Sequence, residues 1–419
     1  MEDSGNITSI AELERVVAEV VAQTPVTDLH THVYDARFGD LLLWGVDELI
    51  TYHYLIAEVM RAERGRTTPE QFYAMPKRQQ ADLVWQRLFT DSSPISEACR
   101  GPITVLNALG LDVARRDLDE MRRYFADKTA EQYIDEVMTL ANVRDVVMTN
   151  DPFDEQEASV WEGGGERDPR FHAALRLDGL IVRWEENRPR LAAQGYDVAA
   201  DLSDNTCDEI MRFLSNWRAK MDPVYMAVSL SDDFTFPADN VQARVIKNAV
   251  LPFAARENLP FAMMIGVKRL INPALKLAGD GVGKADINAV EHLCANYGDV
   301  KFLVTMLSRE NQHELCVAAR KFPNLMPFGC WWFLNDPSLI DETTRMRIEL
   351  LGLSFVPQHS DARILDQLIY KWSHFRTILA KILTEKYADL MRSGWIPTRQ
   401  EIQRDVSGLY SDNFWNFVN

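Results

Sequence analysis

Residues 26–35 read VTDLHTHVYD. His30 and His32 stand one residue apart in an apolar setting, and on an extended strand residues two apart project from the same face. Two neutral imidazoles on one face can hold a single transition-metal ion. Two imidazoles alone leave such an ion undercoordinated, so a carboxylate is expected from elsewhere in the chain. The stretch VPQHSDARILDQL, residues 356–368, supplies one in Asp361, with Arg363 two residues on and a helix expected from near Ile364. His359, two residues before Asp361, is a candidate to orient that carboxylate. Read alone, the SDAR stretch could equally be a helix N-cap.

These residues need elements that bring them together. Short apolar runs alternate with longer segments of helical 3–4 spacing, the pattern of repeated strand–helix units. Eight runs can be placed, at residues 25–33, 144–150, 171–178, 224–230, 260–267, 301–307, 325–332 and 354–360. They predict an α/β fold, a (β/α)8 TIM-type barrel whose usual length of about 250 residues leaves roughly 170 for additions. More than a hundred residues separate the first two runs, and their amphipathic patterns predict an inserted helical cap. The expected organisation is an N-terminal helix and first strand over 1–34, a cap over 35–142, and the remaining barrel with C-terminal helices over 143–419. In a closed barrel the eighth strand lies beside the first, which would set Asp361 next to His30 and His32 at the C-terminal mouth.

Absent residues also bear on the site. The fourth run, VYMAVSL, carries neither the lysine nor the glutamate that would bridge two metals, and the fifth and sixth carry no histidine. One metal ion is therefore expected, with His30, His32 and Asp361 as its protein ligands. The formal charge of −17 with no basic run argues against nucleic acid as a partner. No stretch has membrane-spanning length, and the N-terminal residues lack the pattern of a secretory signal. The 5 cysteines show no CxxC spacing, which fits neither a disulfide framework nor a thiolate zinc site. A cytoplasmic protein is expected.

The motifs TDLHTH, ELITYHYLIAEVM, MTNDPFD, ALRLD, FGCWWF and HSDAR occur in this order. From residue 24 to the C-terminal RDVSGLYSDNFWNFV, the chain resembles the uronate isomerases of the amidohydrolase superfamily. The resemblance implies interconversion of D-glucuronate with D-fructuronate and of D-galacturonate with D-tagaturonate. It assigns His53 and Tyr54, in TYHY, to the cap above the mouth, with the Tyr54 phenol exchanging protons with the sugar oxygens. Arg176, in ALRLD, would take the uronate carboxylate together with Trp331, and Arg363 would lie near the reacting carbons. An ion pair with Asp178 is the alternative for Arg176. Many relatives have a histidine where this chain has Met264, which marks a divergent branch.

The chemistry of such an isomerase needs a base at carbon, a proton shuttle between oxygens and a group that stabilises developing charge. Asp361 is the candidate base, and one divalent ion the expected cofactor, with zinc favoured over manganese or iron by the affinity order. The partner is a small-molecule uronate, and a homo-oligomer is left open. Two other functions use the same residues: a mononuclear metal hydrolase of a sugar lactone or ester, and a barrel that binds a sugar acid without turnover.

Overall fold

Ser9 begins the first helix, its hydroxyl accepting from the Glu12 N–H at 3.3 Å. In this helix, Ile10–Gln23, the buried residues Leu13, Val16, Val17, Val20 and Val21 recur every three to four positions. That stripe packs on the long C-terminal helix Gln367–Arg392. The structure, a computed structural model, describes residues 5–419. Among them no helix is long and apolar enough to cross a membrane.

The strands are β1 (Val26–Thr31), β2 (Val143–Asn150), β3 (Phe171–Arg176), β4 (Tyr225–Ser231), β5 (Phe261–Lys268), β6 (Gly281–Val282), β7 (Phe302–Met306) and β8 (Leu325–Pro327). All except β6 pair in parallel, in the order β1-β2-β3-β4-β5-β7-β8. Their runs are buried on both faces, as a parallel sheet covered by helices requires. β6 was not foreseen; it is a two-residue antiparallel extension of β5, pairing Val267 with Val282.

The expected eighth strand, residues 354–360, is a correction. Only Val356 pairs in ladder fashion, with Phe328 of the run that follows β8. Pro357 comes next, has no N–H to donate, and ends the regular pattern. Closure is made instead by single hydrogen bonds. Val356 N–H donates to Pro327 O at 3.1 Å and its carbonyl accepts from Gly329 N–H at 2.8 Å; Asp361 N–H donates to His30 O at 3.1 Å, and His32 N–H to Ala362 O at 2.7 Å. The barrel is thus closed with Asp361 directly against β1. The following helix begins at Gln367 rather than near Ile364, because the Gln367 side chain accepts from the Arg363 and Ile364 N–H groups.

Between β1 and β2 the chain forms a series of short helices, among them His53–Glu63, Pro69–Ala74, Lys77–Trp85, Glu97–Ala108 and Ala130–Ala141. Reciprocal capping boxes start two of them, Thr68 with Gln71 and Thr129 with Gln132. This region is tied to the chain just beyond Asp361. Leu365 N–H donates to Leu43 O at 2.9 Å. The Asp366 carboxylate accepts from Gly45 N–H at 3.0 Å and from the Tyr133 hydroxyl at 2.7 Å. These contacts set the helices over the end of the barrel that carries the histidines.

Candidate active site

His30 and His32 lie at the C-terminal end of β1, and Asp361 is held beside them by the backbone bonds just described. Their Nε2 atoms stand 3.7 and 3.5 Å from Asp361 Oδ1. These separations exceed the usual range of an N–H···O bond, and Oδ1 is buried with no hydrogen-bond partner among the described residues. One ligand atom from each of the three residues lies within 4.8 Å of the others. Two donors about 2.0–2.2 Å from one tetrahedral ion stand roughly 3.4 Å apart. The residues therefore fit a single divalent ion.

Burial decides the charge state. It pulls His30 down to about 3 and His32 down to about 4, so both rings are neutral near pH 7. Burial works against charge on Asp361, and the Arg363 guanidinium works in favour of it. A prediction follows from the sign of the imidazole shifts. Protons compete with metal for a free imidazole below about pH 6.5, whereas these rings take up protons only near 3 and 4. Metal affinity, measured by chelator competition, is expected to stay nearly level from about pH 7 to about pH 5 and to fall below that.

Asp361 has a left-handed backbone, φ 48°, a conformation a non-glycine residue keeps only when its surroundings enforce it. The enforcing contacts fall on Ser360. Asp28 Oδ1 accepts from Ser360 N–H at 3.0 Å, Asp28 Oδ2 accepts from Trp372 Nε1 at 2.8 Å, and Lys371 Nζ donates to Ser360 O at 2.5 Å. Burial pushes the Asp28 carboxyl up to about 6 and pulls Lys371 down to about 8. Sequence reading passed over both residues. The available signals were a carboxylate inside the buried run VTDLHTHV and a lysine on the apolar side of QLIYKW.

The other expected residues surround this centre unequally. His53 and Tyr54 occupy the first turn of the helix His53–Glu63, where His53 Nε2 and the Tyr54 hydroxyl are buried without partners among the described residues. Burial pulls His53 well below its ordinary value, with Arg363 and Asp361 close enough to act on it. Arg363 makes no ion pair among the described residues. Arg176, at the end of β3, does pair with Asp178, through contacts of 3.0 and 2.8 Å. Trp331 is buried against Trp332, and it is the Trp332 ring that approaches His53, at 5.9 Å between centroids. Both nitrogens of His359 are without partners among the described residues, so it does not orient Asp361 by a hydrogen bond. Its ring fills the space beside Gly329, where a Cβ would fall 1.8 Å from His359 Cδ2. Met264 is a buried core residue of β5.

A parallel barrel with a buried polar cluster at the C-terminal ends of its strands is the framework of the (β/α)8 enzymes. Among solved structures, a uronate isomerase from Bacillus halodurans C-125 superposes with a TM-score of 0.97 at 56% identity, over 98% of this chain and 97% of that one. The chain belongs to the uronate isomerase family, whose members are enzymes. A uronate isomerase from Thermotoga maritima has a TM-score of 0.77 at 14% identity, over 100% of this chain and 99% of that one. A glucuronate isomerase from Caulobacter crescentus has 0.74 at 15%, over 98% and 95%. These two share the fold. No family model and no curated protein matches the chain.

Proposed function

We propose that the protein interconverts D-glucuronate with D-fructuronate and D-galacturonate with D-tagaturonate at the centre formed by His30, His32 and Asp361. The observation that carries this reading is the unpartnered, buried Asp361 Oδ1 facing two imidazole nitrogens, in a chain of this family. One divalent ion held there, zinc by the affinity order, would polarise the oxygens on C1 and C2 of the sugar.

The protein groups then have defined tasks. Asp361 takes the C2 proton, so the C2–H bond breaks as the C1=C2 double bond of a cis-enediol forms. The Tyr54 phenol gives its proton to O1 and recovers one from O2. Asp361 returns its proton to C1, leaving the C2 carbonyl of the ketose. His53, kept neutral by burial, and Arg363 bind the oxygens on which charge develops. Arg176 holds the substrate carboxylate beside Trp331, with Asp178 fixing the direction of its guanidinium. All five cysteines are free and buried, which suits a reducing cytoplasm.

The test is to incubate the metal-replete protein with D-glucuronate and with D-galacturonate and follow the sugars by NMR. Appearance of the ketose supports the reading; metal-replete protein that forms no ketose from either refutes it. Arg176→Met is expected to raise KM for the uronate about 10- to 100-fold, the loss of one charge-assisted contact. An unchanged KM would leave Arg176 as a partner of Asp178 alone.

A further inference from the structure

Each histidine of the centre turns its second nitrogen toward a hydroxyl. His30 Nδ1 lies 3.1 Å from the Tyr225 hydroxyl, and that hydroxyl also lies 2.7 Å from Leu29 O. His32 Nδ1 lies 3.0 Å from the Thr149 hydroxyl, which also lies 3.0 Å from Thr31 O. A hydroxyl has one proton, and a carbonyl can only accept. Tyr225 therefore donates to Leu29 O, and Thr149 to Thr31 O. Each hydroxyl oxygen is left to accept, and among the described residues the only donor facing it is the imidazole Nδ1–H.

We infer that Tyr225 and Thr149 are positioning residues that fix both imidazoles as Nδ1–H tautomers, leaving the two Nε2 lone pairs facing Asp361; this rests on the metal-centre part of the reading above. Tyr225, fully buried on β4, and Thr149, buried on β2, come from different strands. Both accepting carbonyls belong to β1 itself, between and beside the histidines. The strand that bears the ligands thus takes up the hydroxyl protons and so dictates which imidazole nitrogen is bare.

The consequence is an acceptor-only cluster. Neither Nε2 carries a proton for Asp361 Oδ1, which agrees with the lack of any partner on that atom. Three converging lone pairs repel one another in a buried setting unless a cation joins them. Without the hydroxyl, a ring can move its proton to Nε2 and bond to Asp361, forming a neutral contact that competes with the ion. Partners of this kind commonly change metal affinity 10- to 100-fold.

The experiment uses full-length Tyr225→Phe, Thr149→Val and Thr149→Ser proteins. Zinc affinity is measured by competition with a chromophoric chelator, and histidine tautomers are read by 15N NMR of uniformly labelled metal-free protein. In the wild type both rings are expected to carry their proton on Nδ1. Tyr225→Phe should disturb only His30 and Thr149→Val only His32, each weakening zinc binding about 10- to 100-fold. Thr149→Ser keeps the hydroxyl and should restore wild-type affinity, which a purely structural role for the methyl group would not allow. Protons on Nε2 in the wild type, unchanged zinc affinity in both hydroxyl-lacking variants, or failure of Thr149→Ser to rescue would overturn the inference. A protein that shows these tautomers and zinc effects yet forms no ketose would lose the isomerase assignment and keep this one.

Discussion

Asp361→Asn is expected to lower kcat by at least about 10³-fold, the upper part of the range for a general base. The amide is nearly the same size, and the backbone bond from residue 361 to His30 O is untouched, so the fold should persist. What is lost is chemical. A carboxamide cannot take a proton from carbon, and it is a neutral, weaker ligand than the carboxylate it replaces. Metal content should fall together with kcat, while the thermal transition of the metal-free protein should move little. A kcat within tenfold of the wild type would remove Asp361 from the role of carbon base.

The second large effect is expected for Tyr54→Phe. Its hydroxyl is buried without a hydrogen-bond partner among the described residues, and burial holds its pKa well above the ordinary phenol value. It therefore stays protonated near neutral pH, the form that the proposed shuttle requires. A shuttle between O1 and O2 acts mainly in the transition state, so kcat should fall about 10²- to 10³-fold with KM nearly unchanged. Stability should move in the opposite direction from activity. Removing an unsatisfied buried hydroxyl relieves a desolvation cost of about 1–3 kcal/mol, and the variant should unfold at the same or higher urea concentration than the wild type. A variant with lower stability and normal kcat would make Tyr54 a packing residue.

The centre was legible in the sequence because its spacing carries geometry. An HxH pair at the end of the first apolar run and an aspartate just after the last can meet only if the strands close into a barrel. Asp361 N–H on His30 O is that closure made local. The parts that were not legible depend on contacts without a periodic signature. The last strand was expected to be regular, whereas Pro357 limits it to one paired residue. The clamp on Ser360 joins Asp28 of β1 to Lys371 and Trp372 of the helix Gln367–Arg392, more than three hundred residues away, and nothing in their local spacing announces it. The turn after Gly329 likewise brings the Trp332 ring toward His53, through a backbone that is left-handed at residue 332, φ 47°. Which of two adjacent tryptophans faces a site depends on one dihedral angle, and pattern reading does not reach that level.

Proton transfer through Asp361, as opposed to hydride transfer from C2 to C1, is tested most directly by isotope tracing. D-Glucuronate deuterated at C2 is converted by metal-replete protein in ordinary water, and the ketose is examined by NMR at C1. A carboxylate that carries the hydrogen between the two carbons can exchange it with solvent, so deuterium at C1 should be substantially depleted, and the Tyr54→Phe protein should show the same depletion at a much lower kcat. Complete retention of deuterium at C1, with Tyr54→Phe turning over at a near-normal rate, would contradict the enediol route and the roles given to both residues.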